Sequence, residues 1–319
     1  MSVDVLMHGL RTGLTPFLGL PLALDPRPTT GVVLGVPCDA GVINRPGARL
    51  GPWALRAASM GLGTHPMPDR LREGYVALGP AAADGWLDGG NIPTLPFSLT
   101  EALETVQATV GGWAMNGCRT FLLGGDHALT LGALRALALQ HGPLGLLHLD
   151  AHPDAADGAA WGTPIHHGTW VRQALEEGLL DPERVVQVGL RAPRFDDEEL
   201  AFLQAAGVRL WTPSDLRDPR LDSRLAADLA AVGRGPAYLS LDLDVLDPVL
   251  VPAVAEPVPG GLSVEETLRL IRAVHRWPEP WVGADLMELA PTLDGAEASA
   301  RVAVHLALHL LAGGSHECP

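Results

Sequence analysis

Short apolar, β-rich runs alternate along the chain with longer amphipathic or Ala/Leu-rich stretches, and this alternation constrains the fold more than any other feature. The runs fall at 31–36, 120–123, 145–149, 185–189, 208–211, 237–241 and 281–285. Helical patterns occupy 52–60, 100–115, 129–139, 169–177, 197–206, 214–232, 264–274 and 296–311. Strands alternating with helices predict βαβ units and a mostly parallel sheet covered on both faces. Leu-Gly-Leu-Leu-His-Leu and Tyr-Leu-Ser-Leu-Asp-Leu-Asp read as central strands buried on both sides. Ser263 and Asp294 stand where N-caps of the last two helices belong. No repeat, low-complexity tract or clear linker divides the chain, and the Gly/Pro/Ala-rich stretch 79–96 reads as a surface loop. The expectation is one α/β domain over residues 1–319.

Composition narrows the function. A chain that is 47% hydrophobic and 18% charged buries a sizeable core and is not intrinsically disordered. Net charge is −15 with no basic cluster, which argues against nucleic acid and anionic membrane as partners. All 22 basic residues are Arg, so a Schiff-base lysine, a P-loop lysine and the protein-kinase lysine are excluded. Cys38, Cys118 and Cys318 show no C-x-x-C spacing, so neither a disulfide framework nor a thiolate metal site is expected. The N-terminal residues lack a signal-peptide pattern, and no apolar run reaches the roughly 18 residues of a membrane span. A soluble, cytoplasmic protein is expected.

In open parallel sheets, ligands bind beyond the carboxyl ends of the strands. Three such ends are rich in Asp and His: Gly124-Gly125-Asp126-His127, Asp150-Ala151-His152-Pro153-Asp154, and the segment from Ser240 through Asp242, Asp244 and Asp247 to Pro248. Asp242 and Asp244, two apart, share a face if the strand continues. Two buried carboxylates held close repel, and one takes up a proton unless a cation lies between them. Asp150, His152 and Asp154 repeat the same spacing. Asp150, Asp154, Asp242, Asp244, His127 and His152 together exceed one tetrahedral zinc and suit two divalent ions bridged by carboxylates and a solvent oxygen. An oxygen-rich set without thiolate favours Mn²⁺ over Zn²⁺.

Neighbouring residues read more plainly. Asp126 is expected to make structural hydrogen bonds, and Asp247 before Pro248 to form a turn. His148 is expected to face away from the His152 set as a core histidine, and His166 to be a neighbour of the site. His305 and His309 read as a packed or surface pair on the last helix.

The three segments resemble the signature motifs of the ureohydrolase (arginase/agmatinase/formimidoylglutamase) family, in its agmatinase-like branch. Asn44-Arg45-Pro46-Gly47-Ala48-Arg49-Leu50-Gly51-Pro52 resembles the agmatinase-type N-terminal motif, and His167-Gly168-Thr169 and Met287-Glu288-Leu289-Ala290-Pro291 resemble two later ones. The resemblance implies a three-layer α/β/α domain, two Mn²⁺ ions and hydrolysis of a guanidino group to urea and an amine. It implies that His127, Asp150, Asp154 and Asp242 hold one ion and that Asp150, His152, Asp242 and Asp244 hold the other. His167 then shuttles a proton to the leaving amine, and Glu288 pairs with the substrate guanidinium. A homo-oligomer, trimer or hexamer, follows by the same analogy. The chemistry agrees, because a guanidinium is a poor electrophile and two metals lower the pKa of a bridging water.

Arginase-type members carry Ser-Gly-Asn after the second motif. Here the stretch from Asp157 to Ile165 has no counterpart and offers Trp161 and Ile165 instead. Agmatine, yielding putrescine, is therefore the expected substrate, with Trp161 and Glu256 beside its tail. Where agmatinases show Gly-Thr-Gly-Thr-Pro, this chain reads Ala253-Val254-Ala255-Glu256-Pro257, nearer to formimidoylglutamase-type members. Guanidinobutyrate, arginine and formimidoylglutamate stay open as alternatives. A one-zinc deacetylase needs fewer ligands than the chain offers, and neither tyrosine, Tyr75 or Tyr238, fits its motifs. A non-catalytic family member acting as a partner subunit is the remaining alternative, against which the complete six-residue set stands.

Overall fold

The structure is a computed structural model that describes residues 15–60, 85–95, 97–193 and 197–312. Eight strands form one sheet: β1 (Gly31–Gly35), β2 (Trp86–Asn91), β3 (Arg119–Leu123), β4 (Leu144–Leu149), β5 (Leu180–Val188), β6 (Arg209–Trp211), β7 (Ala237–Asp242) and β8 (Gly283–Met287). Their order is β2-β1-β3-β8-β7-β4-β5-β6, and every neighbouring pair is parallel.

Side-chain alternation along the strands divides the core in two. Val33, Phe121, Leu123, Leu147, Leu149, Leu239 and Leu241 pack with helices Gly51–Ser59, Asp222–Val232, Val264–Val274 and Ala298–Ala312. Val32, Leu34, Leu122, Leu146 and Tyr238 pack on the other side with helices Leu99–Ala114, Thr130–His141, Trp170–Glu176 and Glu198–Ala206. Burying both faces explains why the central strands read as unbroken apolar runs. The result is the expected three-layer α/β/α architecture.

Three local departures have physical causes. β2, Trp-Leu-Asp-Gly-Gly-Asn, lies inside the stretch read as a loop, because its composition is poor in strand formers. It is fixed instead by a buried ion pair, with Arg56 Nε and Nη2 donating to the two oxygens of Asp88 at 3.0 and 2.9 Å. The remainder of 79–96 at 79–84 and 96 lies outside the described residues. The helix expected over 214–232 is broken into Pro213–Leu216, a 3-10 turn at Pro219–Leu221, and Asp222–Val232. Pro219 lacks the N–H a continuous helix needs and its ring opposes the preceding turn. The last helix begins at Ala298, and Asp294 accepts hydrogen bonds from the Ala296 and Ser299 N–H groups at 2.9 and 2.8 Å. Ser263 caps as expected, forming a reciprocal box with Glu266.

Candidate functional site

The carboxyl ends of four adjacent strands, β3, β8, β7 and β4, supply the site. After β3 the chain turns through Gly124 and Gly125 (φ 39° and 113°), and a Cβ on Gly125 would strike the carbonyls of Val36 and Cys38. This tight turn delivers His127 to the sheet edge. β4 delivers Asp150, with His152 and Asp154 following; β7 delivers Asp242, and β8 delivers Glu288. Asp154 and Glu288 both hold positive φ, 49° and 66°. Such backbone costs about 1–3 kcal/mol per residue and concentrates at functional sites.

The six expected metal residues come together. His127 Nδ1 lies 3.1 Å from Asp150 Oδ2 and 3.2 Å from both Asp154 Oδ2 and Asp242 Oδ2. His152 Nδ1 lies 2.8 Å from Asp244 Oδ2 and 3.5 Å from Asp150 Oδ1. Asp150 thus presents one oxygen to each group. Asp242 and Asp244 converge differently from the expected shared strand face: β7 ends at Asp242, and a 3-10 turn over Leu243–Val245 carries Asp244 back. Asp242 Oδ1 accepts the Asp244 N–H at 2.8 Å and so fixes that turn.

Hydrogen bonding shows that this cluster fits cations. Ser240 Oγ donates to Asp285 Oδ1 at 2.7 Å, so it accepts from His127 Nε2, also at 2.7 Å. Asp285 is fully buried and also accepts from Thr130 and Tyr238 hydroxyls at 2.6 and 2.9 Å. His127 Nε2 therefore carries a proton, while Nδ1 is buried without a hydrogen-bond partner and faces three carboxylates. Burial opposes charge on the ring, yet these carboxylates drive its pKa well up. Only a proton or a metal ion can occupy that centre. A divalent ion with bonds of roughly 2.0–2.3 Å holds adjacent donors about 3 Å apart, which matches this spacing. Without a cation the cluster is electrostatically frustrated. Burial, then Asp244 and Asp150, drive the Asp242 pKa well up. Burial opposes charge on His152, yet Asp244 and Asp150 push its pKa up to about 12.

Beside the cluster, Glu288 is almost fully buried. Its Oε1 accepts the His127 backbone N–H at 2.8 Å and lies 3.2 Å from His167 Nδ1. Its Oε2 is buried without a partner. Burial opposes charge on His167, but Glu288 dominates and raises the pKa to about 9. Both residues line a cavity of about 620 Å³ together with His127, His152, Asp154, Asp242 and Asp244. Trp161, Glu199 and Glu256 line the same cavity, and Trp161 is 45% exposed at its mouth.

The secondary expectations divide. Asp126, wholly buried, accepts the Gly41 and Ala128 N–H groups at 2.8 and 3.0 Å, a structural role. Asp247 accepts the N–H groups of Val249, Gly260 and Gly261 and forms the turn. His305 and His309 pack edge to face, with ring centroids 4.8 Å apart. His166 is more than a neighbour. Its Nδ1 accepts the Gly168 N–H at 3.1 Å, and its buried Nε2 has no partner and its ring lines the cavity.

His148 corrects the sequence expectation. Two residues from Asp150, it shares that residue's strand face, and its Nε2 lies 2.8 Å from Asp150 Oδ2. Three further contributors escaped the sequence reading: Gln187, bonded to His148; Glu199 on the cavity wall; and Arg191. Arg191 donates to main-chain carbonyls of Asp244, Leu246 and Val258, tying the residue just past the 253–257 stretch to the turn that carries Asp244. Arg191 follows β5 at the same carboxyl-end position as the ligands, which is the one signal that marks it.

Comparison with known proteins identifies the family. The model of the Arginase family matches residues 30–313. Proclavaminate amidinohydrolase of Streptomyces clavuligerus is 37% identical over 92% of this chain and 91% of its own. Its crystal structure superimposes with a TM-score of 0.82 at 36% identity, covering 95% of this chain and 97% of that one. Guanidinopropionase of Pseudomonas aeruginosa is 34% identical, covering 94% of this chain and 91% of its own. The mitochondrial agmatinase of Gallus gallus is 33% identical, covering 94% and 85%. With the family model matching residues 30–313 and these relatives covering more than nine-tenths of the chain, the protein belongs to the arginase family of metal-dependent hydrolases.

Proposed function

We propose that the protein is an amidinohydrolase that uses two Mn²⁺ ions to release urea from a guanidino compound with a short tail. Agmatine is the proposed substrate and putrescine the amine product. The observation that carries the reading is His127 Nδ1, a buried nitrogen without a hydrogen-bond partner, ringed by three carboxylate oxygens at 3.1–3.2 Å. His127, Asp150, His152, Asp154, Asp242 and Asp244 would hold the ions. When bound, such a pair supplies a water activated for attack at neutral pH. Glu288 Oε2 accepts from the planar guanidinium and orients its carbon toward the cluster. Glu288 Oε1, already engaged by His127 N–H and His167, keeps that carboxylate from rotating. His167, charged through Glu288, gives a proton to the departing amine.

Wall chemistry supports the tail. Among the described residues lining the cavity none is Arg, while Glu199 and Glu256 add acidic groups outside the metal cluster. Such a wall suits an amine rather than a carboxylate. A second reading, a guanidino acid or another tail bearing a hydrogen-bond acceptor, is favoured by His166. Because Gly168 N–H occupies Nδ1, the His166 proton lies on Nε2, a buried donor in search of an acceptor. A cytoplasmic homo-oligomer without nucleic-acid or membrane partners belongs to the same proposal; no helix among the described residues is long and apolar enough to cross a membrane.

The test is product release with Mn²⁺ supplied, across agmatine, guanidinobutyrate, guanidinopropionate, arginine and formimidoylglutamate. Urea with the highest kcat/KM on agmatine is expected. No urea from any guanidino compound contradicts the proposal, and formamide from the last substrate replaces it.

A further inference from the structure

Between the sheet and the cluster lies a polar contact that the ligand set does not use. His148 is completely buried. Its Nδ1 lies 2.9 Å from Gln187 Nε2, and the same amide nitrogen donates to the Pro153 carbonyl at 2.8 Å. A carbonyl only accepts, so the amide presents its nitrogen to both groups. His148 Nδ1 is therefore an acceptor, and its proton lies on Nε2, 2.8 Å from Asp150 Oδ2. That is the oxygen facing His127 Nδ1 at 3.1 Å. The other oxygen of Asp150 accepts the His152 N–H at 2.6 Å and faces His152 Nδ1 at 3.5 Å.

Strand register explains the arrangement. Gln187 on β5 is the direct partner of His148 on β4, so the amide and imidazole meet across neighbouring strands. By reaching Pro153 as well, Gln187 ties both ends of the segment that carries Asp150 and His152. The rings of His127 and Trp170 flank His148 edge-on, with centroids 5.0 and 5.1 Å away, and pack against it in the buried layer.

We infer that Gln187 and His148 form a positioning relay that fixes the plane of the Asp150 carboxylate and thereby sets the affinity of both halves of the metal centre. The inference rests on the two-metal reading above. His148 is a positioning residue here and not a ligand, because its cluster-facing nitrogen carries the proton.

The test is calorimetric titration of Mn²⁺ into the metal-free, full-length protein. His148→Phe and Gln187→Met are expected to bind two ions with about 10–100-fold weaker affinity, the usual consequence of losing an outer partner of a metal ligand. His148→Gln keeps a donor nitrogen at similar reach and is expected to restore most of that affinity, and excess Mn²⁺ to restore kcat in all three. Unchanged affinity in the Phe and Met variants overturns the relay. So does loss of one ion altogether in both the Phe and Gln variants, which would make His148 a ligand. Should the Phe variant fail to fold, Gln187→Met and His148→Gln carry the comparison, since both keep the core filled. Wild-type protein binding fewer than two ions would instead sink the two-metal reading itself.

Discussion

Glu288 Oε1 and His167 Nδ1 stand 3.2 Å apart in the cavity wall, while Glu288 Oε2 is buried without a hydrogen-bond partner. In the proposed reaction this one carboxylate serves two cations, the imidazolium beside it and the substrate guanidinium. Glu288→Gln is predicted to lower kcat/KM for the guanidino substrate by roughly 10²–10³-fold, the usual cost of removing one member of a buried charged pair. Steady-state kinetics at saturating Mn²⁺ checks this.

The same pair predicts a pH response in the metal-free protein. His167 is raised from 6.5 to about 9, burial opposing and Glu288 prevailing. A raised folded pKa stabilises the fold fully below the ordinary value of 6.5, and that contribution disappears as pH rises through about 9. NMR titration of the His167 ring should report a midpoint near that value, and Glu288→Gln should bring it down. A wild-type midpoint at or below the ordinary value would show that the pairing is not maintained in solution.

His167→Gln is predicted to reduce kcat by about 10²–10⁴-fold, the range for losing a general acid. Mn²⁺ affinity should hold, because His167 lies outside the ligand set. Calorimetry alongside kinetics separates the two effects.

His166→Leu removes a buried donor from the cavity and tests the tail. If an acceptor-bearing substrate is the natural one, kcat/KM for guanidino acids falls while that for agmatine is unchanged or rises. If agmatine is the natural substrate, the variant leaves guanidino acids as poor as before.

The fold itself makes a prediction at β2. Arg56→Leu leaves the Asp88 carboxylate buried without its guanidinium, which typically costs about 3–5 kcal/mol. Urea unfolding should show a lower midpoint, whereas Arg220→Ala, removing an exposed pair with Asp218, should shift it little.

Strand positions and the clustering of Asp and His at strand ends were legible because apolar runs mark doubly buried strands and acidic or imidazole side chains follow them directly. β2 was hidden because its place depends on a distant side chain, Arg56, rather than on its own residues. His148 was misread although its spacing from Asp150 places both on one face; parity alone, applied consistently, puts it beneath the cluster. Asp242 and Asp244 converge through a turn, where strand parity no longer operates. Gln187 and Arg191 act through partners 34 to 67 residues away and carry no local signature. Glu199, Glu256 and His166, to which the proposed choice between amine and acid tails is assigned, line one cavity only in the folded chain.

The most direct measurement of the central claim is anomalous diffraction from crystals of the protein loaded with Mn²⁺. Two manganese peaks are expected, one against His127 and Asp154 and one against His152 and Asp244, with Asp150 and Asp242 reaching both. A single peak, or none among these side chains, would contradict it.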